Sequence, residues 1–332
     1  MGRVLLAAPR GFCAGVDRAV EIVEQALADA GAPLYVRGQI VHNRRVVDDL
    51  AARGVVFVDR VDDVPAGSTL VFSAHGVPPS VRTEAARRGL RVFDATCPLV
   101  AKVHGEARRY ARGGYDVVLI GQAGHDEVVG VVGEAPDRVV VVDPATAGDV
   151  TLAPDRPAVM LSQTTLTVDE VDAAAARLRI HHPELRRPPT DDVCYASQNR
   201  QDAVEALAAR CPLVVVVGSA NSHNSRRLAE TARRHGAAAH LVDGAGDLDV
   251  AWFKNVETVG VTAGASAPER AVQEVVAALA RHGFETVEQL TVRVESERFV
   301  LPAALRGSGS AASPGPKANV RHSTQSSSGS PV

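Results

Sequence analysis

Three cysteines each open a helical pattern, and that shared position is the chain's strongest chemical feature. After Cys13 come Val16, Val20, Val23 and Leu27 at helical spacing, closed by Gly31. Cys97 is followed by Pro98 at a first-turn position and then KVHGEARRYARGG, and Cys194 is followed by ASQNRQDAVEALAARC. A thiolate at the start of a helix is favoured by the positive end of the helix dipole and by free amide donors, which suits a metal ligand. Zinc usually recruits its ligands in close pairs such as C-x2-C, which this sequence lacks. Iron-sulfur clusters accept thiolates from distant segments, and three thiolates on a four-iron cluster leave one iron without a protein ligand. Cys211 breaks the pattern, 17 residues after Cys194 at a helix end, and is expected to be a buried hydrophobe.

The elements that must position these cysteines repeat with them. Each helix leads to an apolar run, PLYVRGQIV, YDVVLIG or PLVVVVGSA. Each run ends in polar residues: His42 with Asn43, His125 with Glu127, and Asn221, Ser222, His223 and Asn224. These clusters fall 29, 28 and 27 to 30 residues after their cysteines. A second run in each segment, TLVFSAHG, AVMLSQTT or TVGVTAGAS, ends at His75, at Gln163-Thr164-Thr165 and at Ser266. Helices alternating with such runs give parallel α/β units, whose ligands bind beyond the carboxyl ends of the strands. The repeat therefore predicts an α/β fold of three similar lobes in pseudo-threefold arrangement around a central iron-sulfur site. The lobes are expected over 14–96, 97–192 and 193–285, the last joined by 1–13. TVRVESERFVLP alternates like a short strand within an expected covering segment at 286–305, and 306–332, rich in Gly, Ser and Pro, reads as a disordered tail.

The polar loops describe a pocket for a phosphorylated substrate that needs a proton. Lys and Arg are scarce in them, so a diphosphate would be held by His, Ser, Asn and helix N-termini. His42, His75 and His125 end runs at matching depth, whereas His104, His181, His182, His235, His240, His282 and His322 read as ordinary surface or core residues. Glu127 fits either a proton relay or a solvated helix start. His223, flanked by Ser222 and Asn224, is placed among the substrate-binding residues, either through its imidazole or, the reading preferred, through its backbone with the side chain a bystander. The 332 residues are 45% hydrophobic with a formal net charge of -3, which gives no electrostatic reason to bind nucleic acid or an anionic membrane. A leader or membrane-spanning run is not evident, and four widely spaced cysteines argue for reduced thiols, so a cytoplasmic location is expected.

The successive motifs GFCAGVDRAV, VHN, SAHGV, DATCPLVAKVH, GHDE, SQTTL, CYASQNRQ, NSHNS and GVTAGASAP resemble, in order from residue 11 to about residue 268, the LytB family of 4-hydroxy-3-methylbut-2-enyl diphosphate reductases. The resemblance implies a 4Fe-4S cluster on Cys13, Cys97 and Cys194. It implies diphosphate contacts from His42, His75, His125, Ser222, Asn224 and Ser266, with Thr164 and Glu127 managing the allylic hydroxyl and its proton. His223 departs from the small residue more usual at its position. The implied electron donor is a ferredoxin or flavodoxin, since GSANSHNS lacks the G-x-G-x-x-G form of a nicotinamide or flavin site. Two other readings use the same residues: a non-catalytic iron-sulfur sensor, and a zinc-supported binding module for a phosphorylated ligand.

Overall fold

The structure, a computed structural model, describes residues 2–153 and 156–306; beyond Arg306, the expected tail lies outside the described residues. The chain opens with β1 (Gly2–Ala8), α1 (Ala14–Ala30), β2 (Leu34–Arg37), α2 (Arg44–Ala52), β3 (Val55–Val58), β4 (Thr69–Phe72), α3 (Pro79–Arg87) and β5 (Arg91–Asp94). It continues with α4 (Pro98–Arg112), β6 (Asp116–Ile120), α5 (Asp126–Val132), β7 (Val139–Val142), β8 (Ala158–Ser162) and α6 (Val168–His181). The last part is α7 (Tyr195–Ala208), β9 (Leu213–Val217), α8 (His223–Arg234), β10 (Ala238–Val242), β11 (Thr258–Ala263), α9 (Glu269–Arg281) and β12 (Phe284–Thr291).

The strands form three sheets, ordered β3-β2-β4-β5, β7-β6-β8 and β10-β9-β11-β1-β12. Their ladders are parallel. Parallel sheets need helices on both faces, so their strands tend to be apolar rather than alternating, although LYVR of β2 alternates buried and half-buried positions and ends in Arg37. LVVVV of β9 is buried along its whole length, as are DVVLI of β6 and AVMLS of β8. Helix α1 shows the complementary pattern: Val16, Ala19, Ile22, Val23 and Ala26 form one buried stripe at helical spacing. Burying Ile22 or Val23 fully is worth about 1.5–3 kcal/mol each. Gly31 ends this helix at φ 75°, a conformation that side-chain-bearing residues rarely adopt.

The six strands expected at the apolar runs are present, each shorter than its run because the polar end forms the loop. The strand expected in TVRVESERFVLP is not there. The strand in that region is β12, at Phe284–Thr291, and residues 292–302 carry no strand. The reason is its partner: β12 pairs with β1, which ends at Ala8, and Val292 N–H donates the last bond to Ala8 O at 2.8 Å. Among the described residues, no helix is long and apolar enough to cross a membrane.

Candidate active site

The three sheets turn their strand ends toward one cavity, which Cys13, Cys97 and Cys194 line together. Each cysteine is the N-cap of its helix, α1, α4 or α7. Each is also pinned by its own amide to a strand-end loop. Cys97 N–H donates to Ala74 O at 3.0 Å, Cys194 N–H to Thr164 O at 3.0 Å and Cys13 N–H to Ala265 O at 3.2 Å. Those carbonyls follow β4, β8 and β11, so the threefold repeat reappears as three equivalent hydrogen bonds. Gly15 makes room for the sulfurs, since a Cβ there would lie 2.7 Å from Cys97 Sγ and 3.8 Å from Cys13 Sγ.

Burial pushes the Cys97 thiol up to about 12 and the Cys194 thiol up to about 11, and the neighbouring Cys13 adds to both. Helix amides and, at Cys194, the Ser197 side chain pull the other way but do not win, so the dipole argument from sequence is outweighed by burial. Three thiolates crowded into such a place need a cationic group between them. The three cysteines, each at its own helix start, enclose the space that Gly15 leaves open, and three thiols around one cavity fit a group held by three thiolates. Among the described residues, His42, His75 and Asp126 also offer three ligand atoms within 4.8 Å of one another. Cys211 lies elsewhere, 2% exposed among Val214, Leu207 and Ala203 in the core beside β9.

Glu127, in the first turn of α5, is 2% exposed and lines the same cavity. Thr164 donates to it twice, from its amide to Oε1 at 2.7 Å and from its hydroxyl to Oε2 at 3.1 Å. Burial still raises the carboxyl to about 7, against the pull of those two bonds. A solvated helix start is thereby excluded.

His42, His75, His125 and His223 line the same cavity as a cluster. The rings of His42 and His75 stack with centroids 3.9 Å apart, and His125 meets them edge-on at 5.2 and 5.8 Å. His223 stands 6.0 Å from His125 with Nδ1 2.9 Å from Thr165 Oγ1, which sets its imidazole among the other cavity histidines. Burial holds these imidazoles below their ordinary value, to about 4 at His125 and about 3 at His223, and Arg226 lowers His42, His125 and His223 further. Ser222, Asn224 and Ser266 complete the lining. Asn224 Oδ1 accepts from Ala265 N–H at 2.9 Å, and Ser266 Oγ donates to His42 O at 3.0 Å.

Every expected site residue thus faces one cavity. Sequence reasoning missed Tyr195 and Phe299, which also line it, and the arginine pair Arg226 and Arg227 behind His223. The neighbour of a helix-opening cysteine was a usable signal for Tyr195. For Phe299, 105 residues after Cys194, there was none.

Fold and site together define a three-lobed α/β protein with a cavity lined by three cysteines, a buried carboxyl and a cluster of histidines. The chain belongs to the LytB protein family, whose model matches residues 4–280. It is similar to the 4-hydroxy-3-methylbut-2-enyl diphosphate reductase of Mycolicibacterium vanbaalenii, 58% identical over 306 residues, which are 92% of this chain and 91% of that protein. The reductase of the same name from Rhodococcus jostii is 57% identical over 92% of this chain and 91% of its own. Among solved structures, the E-1-hydroxy-2-methyl-but-2-enyl-4-diphosphate reductase from Plasmodium falciparum matches with a TM-score of 0.88 at 34% identity, covering 92% of this chain and 96% of that one. A structure of (E)-4-hydroxy-3-methyl-but-2-enyl diphosphate reductase, described as the terminal enzyme of the non-mevalonate pathway, matches at 0.62 and 30% identity over 85% of this chain and 100% of its own.

Proposed function

We propose that this chain catalyses the reductive dehydroxylation of (E)-4-hydroxy-3-methylbut-2-enyl diphosphate to isopentenyl and dimethylallyl diphosphate, the terminal step of the non-mevalonate isoprenoid pathway. The observation that carries this reading is the meeting, in one cavity, of three cysteine thiols, a carboxyl that keeps its proton near neutral pH and a wall of histidines. Cys13, Cys97 and Cys194 would hold a 4Fe-4S cluster, which supplies the two electrons one at a time. Overall, two electrons and two protons enter, a C–O bond breaks, a C–H bond forms and water leaves.

The chain's own residues do the rest. His42, His75, His125, His223, Ser222, Asn224 and Ser266 bind the diphosphate. Neutral imidazoles donate hydrogen bonds to it, and its charge raises their proton affinity once bound. Thr164 orients the Glu127 carboxyl, which donates its proton to the departing hydroxyl, since hydroxide is a poor leaving group. The second proton enters at either end of the allyl unit, giving the two products. Tyr195 and Phe299 help exclude water. Electrons would come from a ferredoxin or flavodoxin in the cytoplasm. An anaerobic assay with the substrate and a one-electron donor tests the reading: both products should accumulate, and their absence from cluster-loaded protein would overturn it.

A further inference from the structure

Arg200, on α7, heads the large side chains that are fully buried. A cation at that depth is costly unless each N–H is met and the charge is paired. Here Nε and Nη2 donate to Gly11 O at 3.0 and 2.8 Å, Nη2 also to Phe12 O at 3.2 Å, and Nη1 to Ala196 O at 2.9 Å. The Glu295 carboxylate accepts from Nη1 at 3.0 Å and Nη2 at 3.2 Å in a fork. Gly11 and Phe12 immediately precede Cys13, and Ala196 lies two residues past Cys194. One guanidinium therefore joins two of the cysteine-bearing turns.

Glu295 belongs to the strandless segment 292–302. That segment leaves the core beside β9, where Leu290 and Val292 pack, and reaches the core beneath α1, where Leu301 and Leu305 pack. Arg18 Nε donates to Val300 O at 2.9 Å near its far end. Between these anchors Arg293, Val294, Glu297 and Arg298 are exposed, while Phe299 turns into the cavity wall. Glu295 is the charged side chain of this stretch that points inward.

We infer that Glu295 is a latch: through Arg200 it fixes the Cys13 turn against the Cys194 helix and fastens 292–302 over the cavity. The consequence for reaction rests on the function proposed above, in which both are positioning residues that shield the cysteine-bound group; the latch itself rests on the contacts alone. Opening it leaves Arg200 bound to carbonyls but frees the segment, admitting water and dioxygen.

Glu295→Gln in the full chain tests this, since the amide keeps the shape and loses the charge. In metal-free protein, trypsin should cut after Arg293 and Arg298 about tenfold faster than in the native chain, because cleavage follows the population of the opened segment. In cluster-loaded protein the visible absorption should bleach several-fold faster in air. Arg200→Lys, which keeps the charge and loses the fork, should do the same. Leu178→Ala, a core truncation under β8, lowers thermal stability without touching the latch and should change neither rate. Native cleavage rates in Glu295→Gln, or equal acceleration in Leu178→Ala, would overturn the latch. The cleavage arm needs no cluster, so failure of the latch and failure of the iron-sulfur reading are separate results.

Discussion

At Glu127 three influences compete: burial raises the carboxyl, two donors from Thr164 lower it, and Asp192 adds a smaller upward push. Burial wins, and the acid form persists to about pH 7. In the free enzyme, kcat/KM should therefore fall as pH rises through about 7, where the proton donor is lost. Glu127→Gln should keep cluster and substrate affinity, lose roughly two orders of magnitude or more in turnover, and lose that limb of the profile. Near-native turnover would remove Glu127 from the proposed role. Linkage gives a second check on metal-free protein. The folded carboxyl keeps its proton to about 7, whereas the ordinary value is 4.5, so this group's stability contribution is full below 4.5 and lost as pH rises through 7. Melting temperature against pH should be flatter over that window in the Gln variant. Cys211 belongs to the same scale: Cys211→Ser buries a hydroxyl in the core beside β9 at a cost of about 1–3 kcal/mol, yet should leave iron content unchanged.

At the scale of elements, Gly15 ties a helix to the site. Alanine is no worse than glycine for the helix itself, so what Gly15→Ala disturbs is the Cys97 side chain, which must turn aside. The added Cβ would stand 2.7 Å from Cys97 Sγ, and iron incorporation should drop sharply. Retained iron in a stable Gly15→Ala protein would show that the sulfurs have room to move. The helix starts and the polar loops at His42, His75, His125, Thr164, Ser222 and Ser266 were legible because the buried runs before them are mostly apolar and then give way to polar residues. Short strands were not legible: RVFD of β5 and AAHLV of β10 are broken by charged or polar residues, and their ladders depend on neighbours distant in sequence. The same cause displaced the C-terminal strand, whose position follows from where β1 ends. The direction of the His223 side chain was not legible, because the sequence at a strand-to-helix junction does not fix which way each side chain points.

At the scale of the whole molecule, three unequal sheets of four, three and five strands share one centre. Its identity rests on what the three cysteines carry. The most direct measurement is an anaerobic purification followed by a visible spectrum and an iron count on the native chain and on Cys13→Ser, Cys97→Ser and Cys194→Ser. The native protein should be brown with close to four irons per chain, and each variant should lose or deplete the cluster; a colourless protein carrying zinc, or an intact cluster in any of the three variants, would show that these cysteines do not hold a 4Fe-4S cluster.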